Sequence, residues 1–145
     1  MAKFKYSMQN ILEIKMKLET QAKNEFSIAN RKYQTEKDRL DELVLKRVGY
    51  ETRLKESLCG ELNIRDINNL KKDINSIKSA IRTKLFNVKK DEDELEIKRY
   101  ALNELMKERK THEKLREKKF DEFQKEERDN ESKEIDQLVS FTYNN

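Results

Sequence analysis

Apolar residues recur along this chain in steps of three and four, the spacing of one face of an α-helix. The first series is Met8, Ile11, Ile14, Leu18, Ala22, Phe26, Ala29, Tyr33, Leu40, Leu43, Tyr50, Leu54 and Leu58. Polar residues interrupt it near Glu36 and Arg47, and two successive fours from Leu18 to Phe26 read as a stutter. A second series holds Ile64, Ile67, Leu70, Ile74, Ile77, Ile81, Leu85 and Val88. It continues through Leu95, Leu102, Leu105 or Met106, and Leu115, with polar gaps at Glu92, Arg99 and Arg109. After Phe120 and Phe123 the rhythm thins, and Ile135, Leu138 and Val139 form a last cluster.

One strong break separates the two series, at Cys59-Gly60-Glu61-Leu62-Asn63. Gly60 suits the left-handed conformation that ends a helix, and Asn63 suits the cap of a new one, with Asp66 three residues on. The rhythm crosses Gly49 unbroken. The pattern therefore predicts an all-α fold, two long helices forming an antiparallel coiled-coil hairpin in a single domain spanning 1–145. Helix one is expected over 7–58, capped by Ser7, the turn over 59–63, helix two over 64–139, and a frayed tail over 140–145. So short a connection turns the second helix back along the first. Pairing outward from the turn puts Ser7 opposite roughly residue 114 and leaves an overhang on helix two beyond about 115.

Composition supports a narrow seam rather than a thick core. Charged residues make up 43% and hydrophobic residues 34%, with no Pro, no Trp and two Gly. Ordinary domains are nearer ~25% charged, whereas a coiled coil buries only about two positions in seven. The formal net charge of +4 is mild, but the charges are segregated. Residues 53–90 hold ten Lys/Arg against four Asp/Glu, residues 107–119 seven against three, and residues 120–136 three against eight. Such a dipolar overhang suits charge-guided docking, or is simply a solvated helix face. One cysteine excludes an internal disulfide, and neither a signal peptide nor a membrane-spanning run is present, so a cytoplasmic protein is expected.

No catalytic constellation emerges. His112 is the only histidine, so no His cluster holds zinc, and it reads as a surface or seam residue. Cys59 has no histidine nearby to activate it. Two isolated glycines make no phosphate loop, and acid pairs such as Asp91/Glu92 are ordinary on a charged helix. A non-enzymatic binding protein without cofactors follows. Its candidate surfaces are the apolar residues that a seam can spare: Leu43 and Tyr50 on helix one, Ile77 and Ala80 beside the seam on helix two, and Phe120 and Phe123 on the overhang. The alternative for the two Phe is packing against Phe4 and Tyr6. Other readings of the whole chain are a basic coiled coil that binds nucleic acid through 53–90, and a structural spacer.

The opening Phe4-Lys5-Tyr6-Ser7-Met8-Gln9-Asn10-Ile11-Leu12 resembles that of FliJ-type flagellar export proteins: an aromatic-x-aromatic step, a small polar residue, then an apolar helix start. Glu19-Thr20-Gln21-Ala22 through Ala29 and Tyr33 is similar too, as are the size, the break near 60 and the charged stretch Glu113-Lys114-Leu115-Arg116-Glu117-Lys118-Lys119. The resemblance covers nearly the whole chain. It implies a component of the bacterial flagellar type III export apparatus, peripheral to the inner face of the cell membrane at the flagellar base. It implies a monomeric antiparallel hairpin similar to rotary-ATPase stalks, whose end bearing both termini enters a hexameric export ATPase. Further implied partners are the cytoplasmic portion of the large export gate protein and export chaperones, with no nucleic acid. The family's gate-binding positions would fall on Leu43, Tyr50, Ile77 and Ala80, while Arg39, Lys46 and Lys84 depart from the expected types. The ring-facing residues would be Phe120, Phe123, Ile135 and Leu138.

Overall fold

The computed structural model describes residues 3–61 and 63–144; Met1, Ala2, Leu62 of the expected turn and Asn145 of the expected tail lie outside them. The fold is an all-α helical hairpin of two helices, α1 (Gln9–Cys59, 51 residues) and α2 (Ile64–Asn144, 81 residues), with no strand among the described residues. Neither helix contains Pro, and both are rich in Glu, Lys, Arg and Leu, which favour helix. Thr20, Thr52, Thr83 and Thr111 donate their hydroxyls to carbonyls one turn back, so these polar side chains are satisfied within the helix.

The helix ends differ in part from the sequence expectation. Ser7 and Met8 form a turn, and the first helical bond runs from Leu12 N–H to Met8 C=O at 3.1 Å, so α1 begins at Gln9 rather than Ser7. The Gln9 N–H donates to Tyr6 C=O at 3.0 Å, drawing the preceding segment against the helix. Gly60 does not adopt the left-handed conformation expected of it, since no glycine in the chain has positive φ. Asn63 does cap α2: its Oδ1 accepts from the N–H groups of Arg65 (3.1 Å) and Asp66 (3.3 Å). Asp66 adds negative charge at the positive end of the helix dipole. Past residue 139, with no Gly or Pro to stop it, α2 continues to Asn144.

The chain forms two compact units, Lys23–Ala101 and the pair Met1–Ala22 with Leu102–Asn145. In the Lys23–Ala101 unit, the seam of α1 steps through Phe26, Ala29, Tyr33, Glu36, Leu40, Leu43, Arg47, Tyr50, Leu54 and Ser57, all buried or half-buried. Its α2 side steps through Ile67, Leu70, Ile74, Ile77, Ile81, Lys84, Val88, Asp91, Leu95 and Lys98. Both alternate three and four without a fault, the heptad of a coiled coil. Glu25 meets Lys98, Lys32 meets Asp91 and Glu36 meets Lys84, so partners on α2 recede as those on α1 advance, which is antiparallel pairing. The expected polar positions at Glu36 and Arg47 hold. On α2 the expected positions Ile67 to Ile81, Val88 and Leu95 hold, but three sit one residue earlier than expected: Lys84, Asp91 and Lys98 occupy the seam, while Leu85, Glu92 and Arg99 are exposed, as is Ile64 at the start of the helix.

In the unit of the two chain ends, the seam holds Leu12, Lys15, Glu19 and Ala22 from α1, against Leu102, Leu105, Arg109 and His112 from α2. This continues the same heptad, so there is no stutter. Ile11, Ile14 and Leu18, expected in the seam, are exposed, Ile14 by 56%. Polar residues displace them because they are paired across the interface. Arg109 Nε donates to Glu19 and its Nη1 to Glu113, and Lys15 bridges Glu108 at 2.8 Å. At the open edges of a seam two helices wide Lys15 and Arg109 keep water within reach, while Glu19 is buried against Arg109.

Candidate protein-interaction surfaces

The residues before α1 form an aromatic clasp on α2. The Phe4 ring packs edge-on to Phe120 at 5.1 Å and tilted to Phe123 at 5.5 Å between centroids. Arg116 lies 5.9 Å from the centroid of the Phe4 ring and donates from Nε to Gln9 Oε1 at 3.0 Å. Tyr6 is buried, its hydroxyl without a hydrogen-bond partner. Phe120 and Phe123 are therefore not bare: Phe123 is half-buried, and Phe120 keeps 39% of its surface. The clasp also carries packing on α2 as far as Phe123, beyond the expected limit near 115.

Further along, every described residue from 128 to 143 is exposed. Ile135, Leu138 and Val139 lie on one face, at the i, i+3, i+4 spacing, and Leu138 exposes 66% of its surface. Single exposed apolar residues are ordinary; a row of them on one helix face marks a surface that a partner covers.

The four gate candidates separate. Ile77 is a core residue, 7% exposed, and Leu43 and Tyr50 are half-buried in the seam, so the seam does need these three. Ala80 is exposed. Sequence reasoning missed the apolar residues standing outside that seam: Val44, Leu45 and Val48 on α1, Leu85 and Phe86 on α2. The signal was present, because a strict heptad through Glu36 and Arg47 leaves Val44 and Val48 off the seam.

Charge is organised by pairing. A hydrogen bond from Lys84 Nζ, 2.8 Å long, is the main reason the Glu36 carboxyl sits below its ordinary value. Burial works against that shift, and the charges of Lys84, Arg39 and Lys32 add to it. Lys32 is raised, chiefly by the charge of Asp91 and then by Glu94. Arg109 is raised by its hydrogen bonds to Glu19 and then Glu113. Among the described residues, no three His, Cys, Asp or Glu side chains are grouped to hold a metal. His112 stands half-buried in the seam with Nδ1 unpartnered, and Cys59 is exposed at the end of α1.

A family model described as flagellar FliJ protein matches residues 4–145. The chain belongs to the FliJ family. Comparison with curated proteins and with solved structures gave no match. Membership makes this FliJ-family chain a component of the flagellar export apparatus, within a family of structural export components. The match opens on Phe4, the residue that closes the aromatic clasp. Among the described residues, no helix is long and apolar enough to cross a membrane.

Proposed function

We propose that this FliJ-family chain acts as the central stalk of the hexameric flagellar export ATPase, couples that ring to the cytoplasmic portion of the large export gate protein, and escorts export chaperones. It works at the inner face of the cell membrane at the flagellar base. The observation that carries the ring assignment is the exposed run of α2 from 128 to 143, with Ile135, Leu138 and Val139 uncovered on one face. Phe120 adds a partly exposed aromatic at its root, where Phe123 is held by Phe4.

The gate-facing surface lies in the Lys23–Ala101 unit around Ala80. Leu43, Tyr50 and Ile77 support it from the seam rather than touching the partner themselves. Coupling then follows from differential contact: a single asymmetric stalk favours whichever ring interface fits it best, and biases closure there.

The test is a pull-down with each proposed partner separately, using the full chain and Ile135→Glu with Leu138→Glu. The double substitution is expected to lose the ATPase while retaining the gate fragment and chaperones. Undiminished ATPase capture by that variant would remove the ring assignment.

A further inference from the structure

We propose that the Lys23–Ala101 unit of one copy receives the C-terminal segment of α2 from a second copy, giving a weak head-to-tail self-association. The contact involves neither the ATPase nor the gate. It would occupy the exposed end of α2 whenever no other partner does.

The receiving surface follows from the heptad frame. Lys32 and Glu94 bridge at 3.6 Å, and each immediately precedes a seam residue, Tyr33 and Leu95. They mark one side of the helix pair. Residues that immediately follow seam positions, such as Val44 after Leu43 and Leu85 after Lys84, line the opposite side. On the Lys32 side the signs alternate: Lys32, Arg39 and Lys46 are offset by Glu42, Asp73 and Glu94. On the other side seven bases, among them Lys37, Lys71, Lys78 and Arg82, stand against four acids, Asp41, Glu51, Glu92 and Glu96, and Glu51 is already bridged to Arg47 at 2.9 Å. Val44, Val48 and Leu85 stand among those bases and are 43%, 53% and 50% exposed. Apolar residues flanked by cations fit an amphipathic helix with acidic flanks.

The end of α2 has that chemistry. Ile135, Leu138 and Val139 share a face, Glu134 and Asp136 flank it, and Glu131 lies one turn before. This match of charge and apolar face commits the occupant to the same segment of a second copy. Different patches meet on the two partners, so the contact is heterologous and does not close into a symmetric dimer.

Sedimentation velocity of the full chain over a concentration series tests this, at about 50 mM and about 500 mM salt, between which the screening length falls severalfold. The expected result is a sedimentation coefficient that rises with concentration in low salt and stays near the monomer value in high salt. Lys78→Glu with Arg82→Glu, and separately Glu131→Lys with Glu134→Lys, should each weaken association about tenfold. All four positions are exposed, so helicity by circular dichroism should not change. An equimolar mixture of the two double variants should regain association, because each then offers the charge that the other lacks. A chain that stays monomeric in low salt overturns the proposal, as does association that survives both reversals or is not rescued by mixing.

Discussion

Glu36 and Lys84 meet across the seam of the Lys23–Ala101 unit at 2.8 Å, each at a heptad position that ordinarily holds an apolar side chain. Neither is far from water, at 17% and 21% side-chain exposure, so the pair keeps some hydration while it is held in place. Its main effect is on register. A shift of α2 by one heptad would set Glu36 against Ile77 in one direction and against the like-charged Asp91 in the other, and Lys84 against Ala29 or Leu43, which half-buried charges tolerate poorly. Glu19 and Arg109 play the same part in the unit of the chain ends.

Lys84→Leu alone should therefore lower the melting temperature, because Glu36 loses its partner. Glu36→Leu combined with Lys84→Leu should recover the loss or exceed the starting value, since two leucines suit a seam. A double-mutant cycle on thermal melts by circular dichroism measures the coupling. Additive single effects would show that the two side chains do not depend on each other.

Acid should weaken the hairpin through the same pair. The folded Glu36 carboxyl titrates below its ordinary value of 4.5, so its contribution is present above that value and lost as pH falls through the lower folded one. Melts recorded between about pH 3 and about pH 7 should show Glu36→Gln flattening the acid limb of the wild-type profile. Lys32 behaves in the opposite sense. Raised above 10.5 in the fold, its contribution is present below that value and lost as pH rises through the folded one.

Gly49 lies inside α1 with ordinary φ, and a Cβ added there meets no atom within 4 Å. Gly49→Ala should stabilise the protein by about 1 kcal/mol, the propensity difference between the two residues. Gly60→Ala should also be tolerated, since Gly60 is not left-handed and has the same open surroundings. Chemical denaturation of both variants checks this.

Phe4→Ala should open the N-terminal clasp. Loss of two ring contacts and of the packing under Arg116 should cost about 1–2 kcal/mol locally. Hydrogen exchange should quicken around residues 116–123, and helix protection around Ile74 and Ile81 should not change.

Much of this architecture was legible in the sequence because coiled-coil heptads repeat without tertiary complication. The hairpin, the break after Cys59 and the Asn63 cap all followed from periodicity and residue chemistry. The frame of the first turns of α1 did not. Ile11, Ile14 and Leu18 carried the apolar identity of a seam, while Lys15 and Glu19 took the seam itself through ion pairs with Glu108 and Arg109. Hydrophobicity alone cannot reveal that exchange, because each charge is accommodated only by a partner some 90 residues away, as Arg109 is from Glu19. The same limit hid the seam roles of Lys84, Asp91 and Lys98. The clasp was foreseen only as an alternative, since helical periodicity does not specify where the residues before the helix will lie. Among the candidate binding residues, Ile135 and Leu138 stand exposed as expected, while Leu43, Tyr50 and Ile77 were absorbed by a seam longer and more regular than the apolar count implied.

The most direct measurement mixes the purified full chain with the flagellar export ATPase and follows subunit assembly by gel filtration with light scattering. The chain should shift ATPase subunits toward hexamers and co-elute with them, and Leu138→Glu should abolish the shift. Hexamers that form to the same extent with and without the chain, and elute free of it, would contradict the account.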